Sequence, residues 1–132
     1  TPAMVMNFLG GGAAINVLAK LAGAAIVVLD AGVSADLPSH PSLRSVKIGR
    51  GTNNIAVGPA MTREQAIQCL ETGIKTAQEQ IAGGSDLLAC GDMGIGNTTP
   101  SSAITSVITG ISSSSPTSCR IFSPSSPRPW KL

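Results

Sequence analysis

The chain has 132 residues, of which 42% are hydrophobic but only 2% aromatic, and its formal net charge is +2. This length suffices for one modest domain, whose core must be built from aliphatic side chains. Residues 1–110 carry six basic and seven acidic side chains, whereas residues 111–132 carry three basic and no acidic ones. The near-neutral part lacks the basic face that nucleic-acid binding needs, so we expect no nucleic-acid partner.

Cysteine and histidine usage argues against metal and disulfide chemistry. Cys69, Cys90 and Cys119 are widely spaced, and His40 is the single histidine. Without a CxxC pair, neither a zinc site nor a disulfide framework is expected. We therefore predict free, partly buried thiols, no metal, no cofactor and a reducing, cytoplasmic compartment. Because His40 lies in a Pro/Ser-rich loop, it is predicted to be a surface histidine.

The first 19 residues carry no charge, so a signal peptide or a membrane span has to be considered. No basic segment precedes the stretch, and three glycines at 10–12 interrupt its apolar character. It is also short for a membrane span. We interpret it as soluble core and expect no membrane partner. Residues 16–22 predict a helix that ends at Gly23.

A continuous apolar run at residues 24–29 predicts a strand buried on both faces, which is typical of parallel sheets. Asp30 ends this run. The carboxyl ends of strands are where ligands bind in open α/β sheets, so Asp30 is one candidate for a ligand-site acid. The alternative is a turn residue or a cap for a neighbouring element.

Residues 31–60 are punctuated by proline and glycine and predict an irregular connection, with a short strand at 43–48 and a polar loop at 49–54. Such a connection is either functional or a solvated loop. The clearest helix follows. Thr62 and Gln65 form a capping box, apolar residues recur at helical spacing, and Gly83 and Gly84 end the pattern.

The most informative stretch is residues 91–100, GDMGIGNTTP, between an apolar run at 86–90 and a helical pattern at 101–109. The order predicts strand, glycine loop and helix. Thr98 or Thr99 is the expected N-cap, and Pro100 the first helical residue. Unpaired amides at such a helix start attract anions, phosphate above all.

Alternation of helices and strands predicts an α/β fold with a partial Rossmann-like parallel sheet and flanking helices over residues 1–110. Residues 111–132 contain eight serines and four prolines without any period. We expect this tail to be disordered. The glycine spacing of the loop is not that of a dinucleotide-binding fingerprint, which argues against a generic dinucleotide domain.

The loop and three further segments resemble the nicotinate-nucleotide–dimethylbenzimidazole phosphoribosyltransferase family. The four collinear segments are NFL with GGAAINVLA at 7–19, DAGV at 30–33, GPAMTREQA at 58–66, and the loop, where the family has Glu in place of Asp92. The resemblance implies transfer of phosphoribose from nicotinate mononucleotide to dimethylbenzimidazole, which gives α-ribazole phosphate and nicotinate. It also implies a homodimer.

The resemblance further implies which residues hold the phosphate and ribose: Asp92, Gly94, Ile95, Gly96, Asn97, Thr98 and Thr99. No residue of the chain matches the family's general-base glutamate, so no catalytic residue is assigned. The resemblance stops at 110, which leads us to expect a central fragment with an unrelated terminus, weakly active or inactive. The alternative function is a non-catalytic nucleotide- or phosphate-binding fragment.

Overall fold

A computed structural model describes residues 1–110, and the predicted disorder of the tail falls outside these residues. The chain divides into two compact units, one formed by residues 1–93 and the other beginning at Gly94. The first unit contains α1 (Pro2–Leu9), α2 (Ala14–Ala22), β1 (Val28–Asp30), β2 (Leu43–Ser45) and α3 (Arg63–Ala82), and the second contains α4 (Thr98–Thr109). Helices and a small parallel sheet make the described part an α/β structure.

The sheet consists of β1 and β2, which pair in parallel with Val28 opposite Leu43 and Asp30 opposite Ser45. The ladder continues past the strand ends, because the Val46 amide donates to the Asp30 carbonyl at 3.0 Å. The parallel arrangement agrees with the prediction, but the predicted strand at 24–29 is too long. Residues 24–27 are outside the strand, and Leu29 is exposed rather than buried on both faces.

The junction between α1 and α2 is held by one side chain. The Asn16 amide donates to the Phe8 carbonyl at 3.0 Å, and its oxygen accepts the Ala13 amide at 3.1 Å. Helix α2 ends at Gly23, which adopts a left-handed conformation with φ of +68°, as predicted. Among the described residues, the Pro2–Ala22 stretch is long and apolar enough to cross a membrane by length and composition alone.

Helix α3 confirms the predicted capping box. Thr62 Oγ1 accepts the Gln65 amide at 3.2 Å, while Gln65 Oε1 accepts the Thr62 amide at 2.9 Å. The pKa of the exposed Glu64 carboxyl lies below its ordinary value, because it accepts hydrogen bonds from its own backbone amide and from Thr62. An exposed ion pair of 2.6 Å joins Arg44 of β2 to Glu79 of α3.

The buried apolar side chains of the described residues are few: Val5, Ala13 and Ala19. Large apolar side chains on α2 and α3 are exposed instead, including Leu21 at 86% and Leu70 at 68%. The predicted strand at 86–90 is absent, and these five residues are exposed and irregular. A strand needs a neighbour to complete its ladder, and within the described residues this segment has none.

Candidate phosphate site

The loop before α4 has a geometry that only glycine satisfies. The Asn97 amide donates to the Gly94 carbonyl at 3.1 Å and closes a tight turn. A Cβ on Gly94 would lie 2.9 Å from both Cβ and Cγ of Asn97, closer than side-chain carbons approach. Gly96 has φ of +81°, a left-handed conformation that strains other residues. Both glycines are therefore required for the turn that leads into the helix.

Helix α4 begins at Thr98, so its N-cap is Asn97 and not Thr98 or Thr99. Pro100 is consequently the third helical residue rather than the first. The first intrahelical bond runs from the Ser101 amide to the Asn97 carbonyl at 3.1 Å. An α-helix leaves its earliest amides unpaired by its own carbonyls, so those of Thr98 and Thr99 remain available at the helix start. The arrangement can bind an anion.

The predicted site residues fall into two groups. Gly94, Ile95, Gly96, Asn97, Thr98 and Thr99 are consecutive in the second unit, from its first residue to the first turn of α4. Ile95 is 80% exposed, so its side chain contributes little packing to this unit. Asp92 is an exposed residue near the end of the first unit.

In the first unit, Asp30 is a buried turn residue, with 3% of its surface exposed. Its Oδ1 accepts the amides of Gly32 at 3.2 Å and Val33 at 2.8 Å, and its Oδ2 pairs with Lys47 Nζ at 3.1 Å. These hydrogen bonds agree with the second interpretation of the sequence, in which Asp30 is a turn residue. The same carboxylate also lines a cavity of about 320 Å³, so the structure places a space of ligand size beside it.

Two side chains of this cavity, His40 and Lys47, were not predicted as site residues. His40 is partly exposed, in agreement with the prediction of a histidine near the surface. The sequence pattern that could have identified Lys47 as a cavity residue is its alternation with Leu43 and Ser45, because every second residue along a strand lies on the same face. These three side chains line the cavity together.

The cysteines and the candidate metal ligands of the described part of the chain can be compared with the predictions. Cys69 and Cys90 are free, as predicted, but both are exposed rather than partly buried. Cys119 lies outside the described residues. No group of three or more His, Cys, Asp or Glu side chains is placed to hold a metal ion within residues 1–110.

Comparison with known proteins identifies the family. A family model described as "Phosphoribosyltransferase" matches residues 1–118. The nicotinate-nucleotide–dimethylbenzimidazole phosphoribosyltransferase of Roseiflexus sp. strain RS-1 is 58% identical over 110 residues, which cover 83% of this chain and 31% of that protein. The chain belongs to the nicotinate-nucleotide–dimethylbenzimidazole phosphoribosyltransferase family. The resemblance found in the sequence is thereby confirmed.

Other members of the phosphoribosyltransferase family give the same result. The enzyme of Geobacter sulfurreducens is 53% identical over 111 residues, which cover 84% of this chain and 32% of the Geobacter enzyme. The crystal structure of the Thermus thermophilus phosphoribosyltransferase superposes with a TM-score of 0.78 and 53% identity over 82% of this chain and 33% of that one. The chain thus spans about a third of the length of these relatives.

Proposed function

We propose that the chain holds the phosphate and ribose of nicotinate mononucleotide for transfer of phosphoribose to dimethylbenzimidazole, the reaction named by its relatives. The observation that carries this proposal is the Gly94–Asn97 turn, which leads directly into the start of α4. A turn of this kind presents backbone amides to an anion at the positive end of the helix dipole. A nucleotide phosphate is the anion that the family's substrate offers.

In this reaction an aromatic nitrogen of dimethylbenzimidazole attacks the anomeric carbon of the ribose. The carbon–nitrogen bond to the pyridine ring breaks, and its electron pair leaves with nicotinate. The second nitrogen of the attacking ring gives up its proton to a base. Holding the phosphate fixes the sugar for in-line attack, which converts an encounter of two molecules into a reaction within one complex.

Each residue of the loop has a separate part in the proposal. The amides of Gly96, Thr98 and Thr99 bind the phosphate, while the Asn97 amide, which donates to Gly94, maintains the turn. Ile95 separates the two glycines and has its side chain exposed. Asp92 stands at the position of the family's ribose-binding glutamate, with a side chain one methylene shorter.

The chain lacks a residue that matches the family's general base, so we propose that it binds nicotinate mononucleotide but transfers phosphoribose slowly or not at all on its own. Loss of general-base catalysis lowers rates by roughly 100- to 10,000-fold. We further propose a cytoplasmic homodimer whose two described strands belong to a larger Rossmann-like sheet. The family resemblance supports the homodimer and the larger sheet.

Calorimetry with nicotinate mononucleotide tests binding. We expect Gly94→Ala to weaken binding by at least about tenfold, because the added Cβ collides with Asn97 and opens the turn. Gly91→Ala is the matched control, since a Cβ there meets nothing within 4 Å. Equal affinity of the two variants, or an absence of binding to the parent chain, would overturn the proposed phosphate site.

A turnover assay with both substrates tests the second part of the proposal. We expect binding together with slow formation of α-ribazole phosphate, or none, from the chain alone. Asp92→Glu should tighten binding of nicotinate mononucleotide by restoring the longer side chain, without restoring turnover. Turnover at a rate typical of enzymes, about 1 per second or faster, would contradict the view that the chain lacks its base.

A further inference from the structure

Helix α3 carries an apolar stripe that the rest of the first unit leaves exposed. Ile67, Leu70, Ile74 and Ile81 follow one another at intervals of three, four and seven positions, so they lie on one face of the helix. Between 43% and 68% of the surface of each of these residues is exposed. We call these four residues the α3 stripe.

The partly covered face of α3 is built from polar and small residues instead: Gln65, Ala66, Thr72, Thr76, Ala77 and Gln80. A surface helix of a globular protein normally shows the reverse arrangement, with its large apolar side chains toward the core and its polar ones toward water. Contiguous apolar surface of this kind marks a place where further protein packs. The α3 stripe is therefore placed for a contact that residues 1–110 do not supply.

The apolar segment at residues 86–90 is a second uncovered surface of the same unit. All five residues are exposed, Leu87 at 88%. The sheet of the described residues has two strands, β1 and β2, and neither pairs with this segment. An extended apolar segment needs a neighbouring strand for its backbone groups. Two surfaces that lack a cover favour a large polypeptide as the occupant and not a small ligand.

The relatives indicate which polypeptide this is. A match of 110 residues in a chain of 132 includes both α3 and residues 86–90, and it covers only 31% of the Roseiflexus enzyme. The Thermus enzyme superposes on the chain with a TM-score of 0.78, and 33% of it is covered. The relatives therefore carry these two surfaces together with about two thirds more protein. Pairing of two copies of this chain through α3 would leave residues 86–90 uncovered, whereas that further protein is large enough to cover both.

We propose that the α3 stripe is a docking surface for the part of a family phosphoribosyltransferase that this chain does not match. The contact is apolar, because no member of the stripe carries a charge or a hydrogen-bonding side chain. The proposal uses family membership and the surface of the first unit. It does not depend on the phosphate loop or on the proposed transfer reaction.

A binding assay between two polypeptides tests the docking. The full chain is immobilised, and the Thermus enzyme without the segment that matches this chain is titrated against it. Leu70→Asp should weaken binding by at least about tenfold, because docking would bury an unpaired carboxylate. Gln68→Asp is the matched control, since it adds the same charge to an exposed position on another face of α3, and it should leave binding unchanged. Leu70 is 68% exposed, so its replacement should not unfold the chain alone.

A chimera provides a second measurement in which the two parts are covalently joined. Residues 1–110 of this chain replace the matching segment of the Thermus enzyme, and thermal unfolding is followed by circular dichroism. In the chimera, Leu70→Asp should lower the melting temperature by at least about 4 °C, and Gln68→Asp should change it by less than about 1 °C.

Three results would overturn the proposal. The first is failure of both assays, with no binding between the two polypeptides and no cooperative unfolding of the chimera. The second is an equal response to Leu70→Asp and Gln68→Asp in whichever assay works. The third is self-association of the chain alone that Leu70→Asp abolishes in light scattering, which would assign the α3 stripe to a second copy of the chain.

Discussion

The Asp30–Lys47 ion pair should behave as a buried pair and not as a surface salt bridge. Asp30 is 3% exposed, and the Lys47 side chain is 20% exposed. Replacing Lys47 by Met strands the carboxylate with only its two backbone amides. Breaking a buried ion pair costs about 3–5 kcal/mol of stability. Because Lys47 is partly hydrated, we expect Lys47→Met to cost about 3 kcal/mol.

Asp30→Asn should cost less, about 1–2 kcal/mol, because the amide oxygen still accepts from Gly32 and Val33 while only the charged interaction is lost. The double variant Asp30→Asn/Lys47→Met leaves no stranded charge. Its cost should therefore fall short of the sum of the single variants by about 2 kcal/mol. Arg50→Met, which breaks the exposed pair with Asp36, should cost less than about 0.5 kcal/mol.

Urea denaturation followed by far-ultraviolet circular dichroism measures these differences. Trimethylamine N-oxide can be added to lengthen the folded-state baseline of the urea titration, because it favours the compact state without binding to a specific site. A cost below about 1 kcal/mol for Lys47→Met would show that water reaches the pair freely. Additive costs in the double variant would equally refute the assigned coupling between the two side chains.

Three further outcomes follow from single residues of the first unit. Thr62→Ala should remove about 1 kcal/mol of stability through loss of the N-cap, measured as a lower helical signal on urea titration, and an unchanged midpoint would contradict the capping role. The pKa of Glu64 is lower in the folded chain than its ordinary value of 4.5. The ionised carboxylate therefore stabilises the fold above pH 4.5, and this stabilisation is lost as the pH falls through the folded-state pKa. Glu64→Gln should accordingly make the melting temperature depend less on pH in this acidic range. Leu21→Lys should change stability by less than about 0.5 kcal/mol, because the side chain is 86% exposed, and a large loss would show that this leucine is covered in solution.

Elements set by nearby residues could be predicted from the sequence. The α3 capping box needs only Thr62 and Gln65, three positions apart, and the end of α2 needs only Gly23 in its left-handed conformation. Helix α1 was not predicted as a separate element, although proline as the first helical residue, here Pro2, is a typical helix-start signal. The shift of the α4 N-cap to Asn97 follows from the Gly94–Asn97 hydrogen bond, which the order of residues does not reveal.

Elements that need distant partners could not be predicted in the same way. The apolar run at 86–90 is typical of a strand, but an apolar run forms a strand only where another strand accepts its hydrogen bonds. The role of Asp30 was open for a related reason. Its partner Lys47 is 17 positions away, and only the parallel pairing of β1 with β2 brings the two together.

This difference between local and distant determinants bears on the proposed phosphate site. The geometry of the proposed phosphate loop, residues 94–99, includes a hydrogen bond from Asn97 to Gly94, a left-handed Gly96 and the start of α4. All of these lie within a few residues, so the geometry of the turn is set locally. The proposed phosphate site can therefore be tested by binding measurements alone, separately from the proposed transfer reaction.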